Sequence, residues 1–127
     1  MHTGSCLCGG VTFEITGDMP PPSACHCSQC RNQSGHVWSS THIPDANLTL
    51  TSSYSLRWYA ASDVARRGFC GTCGSFLFWK PKGEAATSVA MGSLVAPTGL
   101  HLARHIFTAD KGDYYPITDD IPQLETS

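Results

Sequence analysis

Apolar and polar side chains alternate through Val11-Thr12-Phe13-Glu14-Ile15, the period-two pattern of a strand with one buried face. Gly9-Gly10 before this run and Gly17 after it break the chain. Met19-Pro20-Pro21-Pro22 reads as an extended connector, because prolines lack amide donors and hold the residues before them out of the helical region. Further short strands are predicted at Leu48–Thr51, Ser55–Tyr59, Ala65–Phe69, Phe76–Trp79, Thr87–Met91 and Leu100–Phe107. Helical turns are expected only over Ser28–Gly35 and near Ser93. The pattern predicts a mainly β fold of short antiparallel strands joined by glycine-rich turns. No internal repeat and no linker divides it, so residues 1–127 read as one domain.

Composition narrows this little. Hydrophobic residues at 41% and charged residues at 14% describe an ordinary globule, and 127 residues give a modest core that gains from a metal staple. A net charge of −2 with a pI near 6.3 offers nothing to attract nucleic acid or an anionic membrane. No run approaches the ~18 apolar residues of a membrane span. The segment before Cys6 has no basic, apolar leader, which makes a cytoplasmic address the expectation.

The cysteines change the picture. Seven of them fall into three tight groups, Cys6-x-Cys8, Cys25-x-Cys27-x-x-Cys30 and Cys70-x-x-Cys73. In a reducing compartment such groups read as metal ligands rather than disulfides, and a thiolate is a preferred soft ligand of Zn²⁺. Phe69-Cys70-Gly71-Thr72-Cys73-Gly74 has the form of a zinc knuckle, and Cys6-Leu7-Cys8-Gly9 is a tighter pair able to complete the tetrahedron. A closed zinc on Cys6, Cys8, Cys70 and Cys73 would tie the amino terminus to the middle of the chain. In small metal domains such binding supplies on the order of 10 kcal/mol of folding free energy.

Cys25, Cys27 and Cys30 offer three thiolates within six residues. With zinc they leave a fourth position for water, an incoming thiol or a histidine. An open position favours Lewis-acid and nucleophile-generating chemistry, and zinc there would be held less completely than at the four-cysteine site. Alternatively, a residue such as His26 or His105 closes the site and leaves it inert. Lying between two ligands, His26 is expected to turn its ring away from the metal. His105, with Asp110 and Lys111 just beyond, is a catalytic candidate at a pocket rim, while Trp38 is a candidate wall.

Together these residues resemble the glutathione-dependent formaldehyde-activating family, which is shared with centromere protein V type domains. The resemblance rests on Gly4-Ser5-Cys6-Leu7-Cys8-Gly9-Gly10, Cys25-His26-Cys27-Ser28-Gln29-Cys30, Phe69-Cys70-Gly71-Thr72-Cys73-Gly74 and the closing His105-Ile106-Phe107, Asp110–Tyr115 and Ile121-Pro122. It implies a zinc-stapled β-tent, with the structural zinc on Cys6, Cys8, Cys70 and Cys73 and the catalytic zinc on Cys25, Cys27 and Cys30. It also implies carbon–sulfur lyase activity, in which formaldehyde or a related small electrophile condenses with a thiol such as glutathione. Two other readings accompany it, a non-catalytic interaction module and a zinc- or redox-responsive thiol site.

Overall fold

The computed structural model describes residues 1–127. Ten strands run in the order β1 (His2–Ser5), β2 (Thr12–Ile15), β3 (Ser23–Cys25), β4 (Trp38–Pro44), β5 (Leu48–Ser52), β6 (Leu56–Tyr59), β7 (Ala65–Cys70), β8 (Phe76–Pro81), β9 (Ala86–Ala90) and β10 (Arg104–Ile106). One α-helix, α1 (Ser28–Ser34), and three short 3₁₀ turns complete the chain. The fold is mainly β, as the alternation implies.

The strands form two sheets, a three-stranded β1-β2-β5 and a seven-stranded β10-β3-β4-β9-β8-β7-β6. Pairing is antiparallel throughout except between β10 and β3, which run parallel with Ile106 opposite Cys25. That parallel pair departs from the antiparallel expectation. It brings the late segment around His105 beside the Cys25 loop. The predicted Leu100–Phe107 strand contracts to Arg104–Ile106, because Ala103 N–H bonds Pro22 outside any ladder and Phe107 adopts a left-handed φ of 55°.

Three strands escape the alternation pattern: β1, β3 and β4. In β4 the inward Thr41 is polar yet buried, its hydroxyl donating to the Pro20 carbonyl at 2.7 Å. A hydroxyl satisfied in this way is invisible to a hydrophobicity rule.

Two apolar clusters fill the interior. The larger gathers Val11, Phe13 and Ile15 of the alternating run with Ile43, Leu77, Phe78 and Val89, and it includes Cys6 and Cys70. Phe13 and Phe78 meet edge to face with centroids 5.2 Å apart, and each such fully buried side chain contributes about 1.5–3 kcal/mol. The smaller cluster consists of Cys25, Cys30, Trp38, Phe76 and Ala90. Each cysteine group therefore sits at the edge of its own apolar cluster, which fixes its backbone.

Candidate functional site

Cys6, Cys8, Cys70 and Cys73 converge with all four Sγ atoms within 4.8 Å of one another. Local turns account for this. Gly74 N–H bonds the Cys70 carbonyl at 2.8 Å and Gly9 N–H bonds that of Cys6 at 3.3 Å. Gly9 and Gly74 hold φ of 81° and 82°, a region where a Cβ would strain, so the glycine after each pair is required. Backbone N–H groups then point at sulfur, Cys73 N–H to Cys70 Sγ at 3.4 Å and Val11 N–H to Cys6 Sγ at 3.2 Å. The Ser75 hydroxyl and amide pull the Cys73 thiol down to about 5. Likewise the Ser55 hydroxyl, with the Cys73 amide, draws Cys70 down to about 7. Before any metal arrives, this cradle favours the thiolate form at those two positions.

Cys25, Cys27 and Cys30 also place their Sγ atoms within 4.8 Å of one another. Cys25 ends β3 between β10 and β4, Cys27 is the N-cap of α1, and Cys30 is buried on the first turn of that helix. None of the seven cysteines is in a disulfide. Hydrogen bonds from Cys25 and Cys30 hold Cys27 down to about 2, while the bond to Cys27 pushes Cys25 far up. At Cys30 the Cys25 thiol pulls down, but the bond to Cys27 and burial outweigh it and leave the thiol raised. Cys27 is thus the most acidic thiol of the trio, and Cys25 and Cys30 are the more reluctant to ionise.

The histidines take no place among the sulfurs. His26 Nδ1 lies 2.6 Å from the Tyr115 hydroxyl, and its Nε2 lies 2.8 Å from His105 Nδ1. His105 Nε2 is 3.0 Å from both oxygens of Asp119. All four ring nitrogens are therefore engaged, and no histidine joins the trio. His105 is buried rather than set at a pocket rim.

The family model for "Glutathione-dependent formaldehyde-activating enzyme" matches residues 1–110, which include every cysteine of both groups. The chain belongs to this family. A Schizosaccharomyces pombe protein described as an uncharacterized lyase is 32% identical over 82 residues, or 61% of this chain and 56% of its own length. The match thus spans little more than half of that relative. A crystal structure of a Rhodobacter sphaeroides protein shares the fold, with a TM-score of 0.63 at 21% identity over 95% of this chain and 98% of that one.

Both cysteine groups of this family member fit a thiophilic metal such as zinc. Each is a convergent all-sulfur donor set, four thiols in one and three in the other, on backbone already ordered by hydrogen bonds.

Arg67 on β7 is a site residue that the local sequence does not reveal. It is only 5% exposed, and its Nη1 lies 3.6 Å from Cys30 Sγ. Gln29 and Gln33 of α1 accept its other hydrogen bonds at 3.1 and 3.4 Å. It forms no ion pair with a carboxylate; it touches Cys30, and its charge helps to lower the Cys27 thiol. A buried cation needs such a partner. In sequence Arg67 is one of six scattered basic candidates for the glutathione carboxylates, with Arg31, Arg57, Arg66, Arg104 and Lys111, and only the sheet register turns it inward while Arg66 stays exposed.

A cleft of about 720 Å³ is lined by Cys6 of the first group and by Trp38, Phe76 and Ala90, which pack on Cys25 and Cys30 behind them. Trp38 stacks on Phe76 at 4.2 Å, and its indole N–H is buried with no acceptor in the protein. The remaining lining is serine, glycine and aliphatic, with no charged side chain. No helix is long and apolar enough to cross a membrane.

Proposed function

We propose that residues 1–127 form one catalytic domain, a zinc-dependent carbon–sulfur lyase of the glutathione-dependent formaldehyde-activating type. The reaction joins the thiol of glutathione to the carbonyl carbon of formaldehyde or a related small electrophile. A carbon–sulfur bond forms, the carbonyl π bond opens, and the thiol proton ends on the new hydroxyl, so nothing leaves. Family membership and the lyase description of the yeast relative support this reading.

The observation that carries it is the three-sulfur donor set whose neighbouring histidines are committed elsewhere. Such a set leaves one coordination position for a substrate atom, and zinc held there would supply Lewis acidity to a thiol or carbonyl oxygen. The chain's own groups prepare that position. Cys27 is the most acidic thiol of the trio, and Arg67 lies against Cys30 as a buried cation. The Trp38 indole N–H is buried without an acceptor, and the cleft that Trp38 lines carries no charged side chain, which suits a small neutral electrophile. Cys6, Cys8, Cys70 and Cys73 would hold a structural zinc. Seven unpaired cysteines suit a reducing, cytoplasmic setting.

One observation favours a second reading. Cys27 is half-buried and its thiol is lowered to about 2, the profile of an oxidant-sensitive thiolate, which suits a redox-responsive zinc site. Calorimetric titration of the zinc-loaded protein with glutathione separates the two. The lyase reading predicts saturable binding that is lost in Cys27→Ser. Absence of binding, with reversible zinc release under mild peroxide, favours the redox site.

A further inference from the structure

His26 stands between two of the three cysteines of the trio, so whatever fixes His26 also fixes Cys25 and Cys27. All four of its polar groups are bound. Its N–H donates to the Ile106 carbonyl at 3.1 Å, and its carbonyl accepts from Arg31 Nε at 3.2 Å. Tyr115 and His105 take the two ring nitrogens. Arg31 is itself braced on the Asp110 carbonyl at 3.0 Å. Apart from Arg31, His26 is thus held by residues 79 or more positions later in the chain, His105, Ile106 and Tyr115.

The ring contacts have a direction. The Asp119 carboxylate can only accept, so His105 presents Nε2–H to it. The Tyr115 hydroxyl has only His26 Nδ1 to donate to, so His26 carries its hydrogen on Nε2 and donates it to His105 Nδ1. His26 Nδ1 in turn accepts from the Tyr115 hydroxyl. Three bonds use three hydrogens, and every group is satisfied. Reversing the two inner bonds would leave the Tyr115 O–H without an acceptor in the protein, because His26 Nδ1 is its one hydrogen-bond partner.

We propose that Tyr115 and Asp119 are positioning residues for the Cys25/Cys27/Cys30 site, acting through this directed Tyr115–His26–His105–Asp119 chain to set how tightly the site holds its metal. Both lie beyond residue 110, where the match to the family model ends. The proposal deepens the reading of the trio as a metal site and stands apart from the identity of the substrate. Asp119 acts from the surface, with its side chain 45% exposed, while the effect appears at buried sulfurs. The terminal segment is anchored for this task. Leu124 N–H bonds the His105 carbonyl at 2.9 Å, and His105 N–H bonds that of Pro122 at 2.8 Å.

The test uses the zinc-loaded full chain. Long-range ¹H–¹⁵N NMR of its imidazoles should show both His26 and His105 as Nε2–H tautomers. Zinc competition with a chromophoric chelator should then give about a 10-fold weaker second site in Tyr115→Phe and in Asp119→Leu, the size typical of lost outer-sphere support. The four-cysteine site should be unchanged. Asp119→Asn, which restores an acceptor to His105, should recover most of the affinity. Tyr115→Phe keeps the ring stacked on His26 and removes only the hydroxyl, so it remains informative if Asp119→Leu fails to fold. Wild-type second-site affinity in Tyr115→Phe, or an Nδ1–H tautomer at either histidine, overturns the proposal. Absence of glutathione turnover would leave it standing.

Discussion

Cys27 Sγ accepts the backbone N–H of Cys30 at 3.3 Å, so a single thiol both caps helix α1 and belongs to the three-sulfur site. The cap sets the second and third ligands at fixed separation, since Cys27 has an extended φ, ψ of −65°, 156° and Cys30 lies on the first helical turn. Helix start and ligand set are one structure. Serine is a good N-cap but a poor soft ligand. Cys27→Ser should therefore keep α1 and melt like wild type loaded only at the four-cysteine site, since the second metal is lost. Cys27→Ala should cost about 1 kcal/mol more through the missing cap. Circular dichroism melts beside metal analysis check both.

The four-cysteine group should govern the fold. Cys6 and Cys70 are buried within the larger apolar cluster, and their metal would tie β1 to β7. Cys70→Ser should lower the thermal midpoint far more than Cys27→Ser, with loss of native near-ultraviolet ellipticity. The opposite order would exchange the structural and catalytic assignments. Graded chelation of protein loaded with two zinc should strip the Cys25/Cys27/Cys30 site first.

Proton release should accompany loading of the trio. Cys27 is lowered, while Cys25 and Cys30 are raised and must each lose a proton to bind metal. Loading should release about two protons, so affinity rises with pH and falls on acidification. Calorimetry in buffers of different ionisation enthalpy measures this directly. Proton-neutral binding would contradict the thiol assignments.

Arg67→Met should weaken the second site and destabilise the loaded protein by about 3 kcal/mol, because the charge of the trio then loses its buried counter-cation. Arg67→Lys should recover only part, since a single ammonium cannot bond Gln29, Gln33 and Cys30 with the planar fork of arginine. Chelator competition and melts of the three proteins distinguish these outcomes.

Packing near the first site gives an independent check on the fold. A Cβ at Gly4 would stand 2.4 Å from the Phe13 ring and 2.9 Å from the Ser93 carbonyl oxygen. Phe13 is fully buried and cannot retreat. Gly4→Ala should cost about 1–3 kcal/mol by overpacking, seen as a lower urea midpoint at unchanged m.

Much of this was legible in the residues, for identifiable reasons. The cysteine groups announce themselves because ligand geometry demands close spacing, and the Val11–Ile15 alternation marks a strand because one face meets the core. Ser28–Gly35 reads as helical, and Gly35 does adopt the left-handed C-cap, at φ 89°. What stayed hidden depends on partners distant in sequence. Trp38–Pro44 is a central strand whose inward Thr41 is satisfied by Pro20. Arg67 meets Cys30 across 37 residues, Asp119 reaches His105 through the terminal segment folded back on β10, and β10 reaches His26 through its parallel pairing with β3. No local rule contains such pairs.

The central claim is catalysis of thiol addition to formaldehyde at the Cys25/Cys27/Cys30 site. Its most direct test is the initial rate of S-(hydroxymethyl)glutathione formation, corrected for the spontaneous reaction, in zinc-loaded wild type and in folded Cys27→Ser. A saturable rate above background is expected in wild type and none in the variant. A wild-type rate equal to background, or an undiminished rate in Cys27→Ser, would contradict it.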